Sequence, residues 1–108
     1  MVVIETVEGK KLNLEDVEEI WLVEIDNNDY NKNIDVKRYN KWIYTDEDFM
    51  DLLKEVENDM MRMSHRCRRL LVEPNDGYYN RKEIKRFIVD SKSFNADSLL
   101  HGCLGEEV

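Results

Sequence analysis

The stretch from Thr45 to Met63 constrains this chain more than any other. Apolar side chains fall at Phe49, Leu52, Leu53, Val56, Met60 and Met63. Steps of three and four put them on one face of an α-helix. Thr45 can cap the first turn, and Asp46, Glu47 and Asp48 set carboxylates at the positive end of the helix dipole. A helix of this length holds together in water only when its apolar stripe is covered by the rest of the fold. The pattern predicts a main helix over about 46–63. The periodicity can be carried on through Cys67 and Leu70 to about 71, with Arg62, Arg66, Arg68 and Arg69 at the negative end. The alternative is a stop near Met63 and a strand over Arg68–Glu73, which the length of such a helix in a small domain favours.

The cover for that stripe is found upstream. Val2–Val7 is rich in β-branched residues, Glu8-Gly9 breaks the run and Lys10–Leu14 resumes it, which predicts a hairpin. Leu14–Glu19 reads as a helical turn or an acidic loop. Ile20–Ile25 is the most apolar segment and is expected to be a central strand. Asp26–Asn33, with four Asn and two Asp, reads as a loop. Ile34–Tyr44 alternates imperfectly and predicts one bent strand or two.

Downstream, Glu73-Pro74-Asn75-Asp76-Gly77 is a turn, because Pro74 excludes Glu73 from the helical region and Gly77 tolerates positive φ. Asn80 and Glu83 have capping-box-like spacing, and Ile84, Phe87 and Ile88 follow at helical spacing. A short basic helix over 81–90 is expected, with a strand over Phe87–Asp90 as the alternative. Ala96–His101 predicts one last helical turn before Gly102. Of 108 residues 42% are hydrophobic and 9% aromatic, enough for one small core and too little for two. The expected fold is α+β: an N-terminal, mostly antiparallel sheet packed against one main helix, followed by a smaller basic helical or mixed segment. It forms a single small domain over 1–108, with the last few residues frayed.

Several classes are excluded or disfavoured. The longest uncharged run, Ser98–Gly105, has eight residues, far short of the roughly 20 a membrane helix needs. The start, Met1-Val2-Val3-Ile4-Glu5, meets an acid at once and shows no basic or apolar leader, so a cytoplasmic location is expected. There Cys67 and Cys103 stay reduced. No Gly-rich phosphate loop, Gly-x-Ser-x-Gly or His-Glu-x-x-His motif occurs, and nothing sets His65 beside His101 or gives Cys103 a triad, so no enzyme is expected. Trp21 and Trp42, on expected strands, read as core residues, and so does Cys67.

Charge is where the chain is distinctive. The net charge of −8 divides into −10 over residues 1–60, +5 over 61–92 and −3 over 93–108. Two candidate surfaces follow. Asp48, Asp51, Glu55 and Asp59 form an acidic stripe on the predicted helix, away from its apolar face, at spacings of about 5–6 Å. Like charges at these spacings destabilise a helix slightly, and phosphates along a nucleic-acid strand sit only a little further apart. The stripe could imitate such a backbone inside a basic cleft, with Glu15, Asp16, Glu18 and Glu19 enlarging the field. Against it stands a basic block: Arg66, Arg69, Arg81, Lys82, Lys85 and Arg86, with Arg62 and Arg68, and with Tyr78 and Tyr79 interleaved. Cations and aromatics together suit contact with phosphates and bases. A third pattern is the repeated His-x-Cys of His65, Cys67, His101 and Cys103, a weak candidate for tetrahedral zinc. Helical geometry would send 65 and 67 to opposite sides, so no metal or other cofactor is expected.

The leading expectation is a non-enzymatic acidic interaction module that inhibits a partner by occluding its basic, nucleic-acid-binding surface. The alternative is a nucleic-acid-binding regulator that uses the block at 62–92. Small size, acidity, lack of catalytic motifs and AT-rich residue usage (ten Asn, nine Lys, one Ala, no Gln) are similar to those of phage-encoded inhibitors of host defence such as anti-CRISPR proteins. That resemblance is one of size and charge; it rests on no shared motif and assigns no residue.

Overall fold

A computed structural model describes residues 1–26, 28–40, 45–63, 67–76 and 80–106. The elements run β1 (Val2–Thr6), β2 (Lys11–Asn13), a 3-10 turn (Leu14–Asp16), β3 (Val17–Asp26), β4 (Asp29–Asn40), α1 (Asp46–Arg62), β5 (Cys67–Pro74), β6 (Lys82–Val89), β7 (Lys92–Asn95) and α2 (Ala96–Leu100). Among the described residues seven strands form one antiparallel sheet, ordered β2-β1-β6-β5-β3-β4, with β7 also paired to β6. The fold is the expected α+β class.

The expected helix is α1. Thr45 Oγ1 accepts the Asp48 N–H at 3.0 Å, and Asp48 Oδ2 accepts the Thr45 N–H at 3.2 Å, which closes a capping box. Phe49, Leu52, Leu53, Val56 and Met60 are buried. They join Val2, Ile4, Ile20, Leu22, Leu70, Val72, Ile84 and Phe87 in one cluster between helix and sheet. Phe49 and Phe87 meet at 5.5 Å in a tilted pair. The helix does not reach residue 71. Its C-cap is Met63, and β5 begins at Cys67, as in the shorter of the two readings. The chain leaves the helix because Leu70 and Val72 are buried at alternating positions, which is a strand period.

The first hairpin is present, with Gly9 at φ +92°. Leu14–Asp16 is a helical turn, and Val17 already belongs to β3. The closing turn is α2, capped by Asn95 Oδ1, with Gly102 at φ +79° behind it.

Two expectations are corrected. The segment over 26–33 is not all loop, since β4 starts at Asp29. An edge strand needs one neighbour only, and β3 supplies it. The basic helix over 81–90 is instead strand β6, although Ile84, Phe87 and Val89 are all buried as a core face requires. The register against β1 slips between Glu5 and Thr6, so that Thr6 faces Ile84 while Glu5 faces Arg86. The bulge inserts Lys85, and its extra residue creates a spacing of three that imitates a helix. The basic segment is therefore no appendage to an N-terminal sheet, because β5 and β6 stand in the middle of the sheet. The turn at Gly77 and the residues Trp42, Tyr44, Tyr78 and Tyr79 lie outside the described residues.

Candidate functional site

The layered fold converts the charge asymmetry along the chain into one between its two layers. Helix α1 carries seven acids and two bases. Strands β5 and β6 put most of the basic block into the sheet, where side chains alternate between the face toward α1 and the opposite, outer face.

Of the acidic stripe, Asp51 and Glu55 are exposed, and among the described residues no cation forms an ion pair with either. The ends of the stripe serve the fold. Asp48 closes the capping box. Asp59 accepts the Tyr39 hydroxyl at 2.7 Å and lies 3.5 Å from Lys37 Nζ, both on β4, which ties the helix to the sheet edge. Burial pushes the Tyr39 phenol far above its ordinary range. Its hydrogen bond to Asp59 and the charges of Asp59 and Glu55 act in the same direction. The exposed acidic surface is thus narrower than the sequence pattern suggests.

The basic block is distributed and largely engaged inside the molecule. Arg81 stacks on Trp21 with its guanidinium carbon 3.6 Å from the ring centroid, and its Nε lies 3.7 Å from Glu73. Arg38, opposite Trp21 in register, lies over the same ring at 5.3 Å. Arg86 Nε is 3.8 Å from Glu5, its cross-strand partner. Lys82 Nζ is 3.2 Å from Glu8. Arg68 donates to the Met60 carbonyl at 2.9 Å, at the C-terminal end of α1. Arg69 and Lys85 are exposed. Arg66 lies outside the described residues. Trp21 is half-buried beneath the two arginines rather than in the main core, so a base seeking to stack on it would have to displace Arg81.

The third pattern is not assembled. Cys67 opens β5 half-buried rather than in the core, while His101 and Cys103 follow α2 exposed; both cysteines are free thiols. His101 Nδ1 lies 2.7 Å from the Asp97 carbonyl oxygen. His65 lies outside the described residues. Among those residues, no group of three or more His, Cys, Asp or Glu could hold a metal ion. No described helix is long and apolar enough to cross a membrane.

Sequence reasoning missed the Tyr39–Lys37–Asp59 tie, which spans 20 residues and needs the tertiary fold. It also missed Glu24, which is 3% exposed between Asp35 and Arg68 in the register of its two neighbours, with Oε1 lacking a hydrogen-bond partner. An acid inside an otherwise apolar strand was the available signal. No protein-family model, no curated protein and no solved structure matches the chain.

Proposed function

We propose that the protein is a non-enzymatic interaction module whose acidic helix α1 binds and occludes a basic, nucleic-acid-binding surface on a partner protein. The observation that carries this reading is the contrast between the two charge sets. Asp51 and Glu55 project from a helix of net −5 with no ion-pair partner among the described residues. Most described cations of the block, by contrast, are already engaged with Glu5, Glu8, Glu73, Trp21 or the Met60 carbonyl. Exposed like charges on a rigid helix give a directional field that accelerates association with a cationic cleft and weakens as salt rises. The protein acts in the cytoplasm as an inhibitor, in the manner of phage-encoded anti-defence proteins. Direct binding of nucleic acid through Arg69 and Lys85 is the competing outcome.

The test is a tagged pull-down from bacterial lysate at low salt, split before and after nuclease treatment, with Asp51→Lys/Glu55→Lys as the control. A nucleic-acid-binding protein that elutes near stoichiometry, survives nuclease and is lost with the variant supports the reading. Co-eluting DNA or RNA that depends on Arg69 and Lys85 overturns it.

A further inference from the structure

We infer that the protein forms a two-fold homodimer through the free edge of β4, joining the sheets of two copies into one. The two ends of the sheet differ sharply. At one end β2 has three residues. At the other, β4 has twelve and pairs only with β3 among the described residues. A long open edge presents a row of backbone donors and acceptors ready for another strand, and folds usually blunt it by shortening, charging, bulging or covering; β4 is bulged at Ile34, and from Asp35 to Asn40 it pairs with β3 without a break. Here it also carries two of the exposed large apolar side chains, Ile34 at 53% and Val36 at 38% exposure.

The occupant follows from the charges. In register with β3, Asp35 and Lys37 stand opposite Glu24 and Leu22, on the face toward α1, while Val36 and Arg38 stand opposite Val23 and Trp21, on the outer face. An antiparallel pair of identical strands that keeps like faces together needs its two-fold axis through a residue, since side chains alternate. With the axis at Val36, Val36 meets its own copy, Asp35 meets Lys37 of the second copy twice, and Ile34 packs against the stem of Arg38. With the axis at Asp35 or Lys37, a charge faces itself. Parallel pairing in register sets Asp35 on Asp35 and Lys37 on Lys37. Opposite-charge cross-strand pairs stabilise a sheet and like charges directly opposite destabilise it, so among the axes within Asp35-Val36-Lys37 the one at Val36 is selected, and a second copy supplies both complements. The ladder about this axis runs from Ile34, where the bulge bounds it, to Arg38, close to a typical strand length. Because the axis is perpendicular to the sheet, both α1 helices lie on one side of it. Each copy carries a net charge of −8, so screening by salt favours the pair.

Sedimentation equilibrium across a micromolar concentration series, at about 0.15 M salt, tests this with the full chain. The wild type should reversibly approach a dimer. Asp35→Lys alone and Lys37→Asp alone should each weaken self-association by about tenfold or more. Mixing the two variants should restore a dimer, because one chain then carries positive charge at both positions and the other negative charge at both. Lys37 also lies near Asp59, so Val36→Lys, which sets like charges on the axis without touching that contact, is measured beside it and should likewise give a monomer. Circular dichroism checks the fold of each. A wild type that stays monomeric, variants that dimerise as well as the wild type, or a mixture that does not recover would each overturn the inference. A foreign strand that binds β4 while the chain stays monomeric would overturn it too.

Discussion

Replacing Tyr39 or Asp59 should separate the part of the acidic stripe that holds the fold together from the part free to meet a partner. Tyr39 is 5% exposed, and its hydroxyl donates to Asp59 Oδ2 at 2.7 Å. A hydrogen bond to a charged acceptor contributes about 1.5–3 kcal/mol. Lys37, 3.5 Å from the same carboxylate with its side chain about half exposed, adds no more than about 1 kcal/mol. Tyr39→Phe should therefore lose about 1.5–3 kcal/mol. Asp59→Ala should lose at least as much, because it strands a buried hydroxyl and releases Lys37. The double variant should be little worse than Asp59→Ala alone, giving a coupling of about 1–3 kcal/mol. At about 4–8 °C per kcal/mol for a domain near this size, the single losses are readable as shifts in Tm as well as in urea midpoints. Asp51→Ala is the control and should stay within about 0.5 kcal/mol of the wild type. If Asp59→Ala unfolds no more easily than Asp51→Ala, or the cycle shows no coupling, the assignment of Asp59 to the fold is wrong. Asp59 would then return to the candidate partner surface.

Two further outcomes rest on buried groups. The folded state holds the Tyr39 proton more tightly than the unfolded chain does, so stability should be intact below the phenol's ordinary pKa near 10 and should fall as pH rises above it. Tyr39→Phe should remove that part of the alkaline loss in pH-dependent urea titrations, and an unchanged alkaline limb would refute the assignment. Glu24 is buried with Oε1 unsatisfied, a situation that destabilises by about 1–3 kcal/mol. Glu24→Met should therefore raise the urea midpoint, and a lower midpoint would mean that the carboxylate has a role the geometry does not reveal.

The parts of the fold legible in the sequence are those fixed by local rules. Thr45 and Asp48 cap each other across three residues, and Phe49 to Met60 repeat at a helical period, so α1 could be read without knowing what covers it. The hairpin around Gly9 is local in the same sense. Strand β6 was legible only at its end, as the alternative strand over Phe87–Asp90, because the bulge at Lys85 gives Ile84 and Phe87 a helical spacing that only pairing with β1 explains. The candidate surface divides along the same line. Periodicity identifies the stripe Asp48–Asp51–Glu55–Asp59, but a helical face does not say what stands opposite it. Asp59 is claimed by Tyr39 and Lys37 from a distant strand. The basic block is broken up for the same reason. Its residues are close in sequence, yet Arg86 finds Glu5 and Lys82 finds Glu8 only once β1 lies beside β6 and the first hairpin turn lies near Lys82.

The proposed role of the exposed acids of α1 is to compete with nucleic acid for a partner's basic surface. Its most direct test uses the protein captured in the pull-down, loaded with a labelled oligonucleotide and titrated with this chain at low and physiological salt. The wild type should displace the oligonucleotide, less so at higher salt, and Asp51→Lys/Glu55→Lys should not, even though that variant keeps the wild-type circular dichroism and urea midpoint. Displacement by the variant as effective as by the wild type would contradict it.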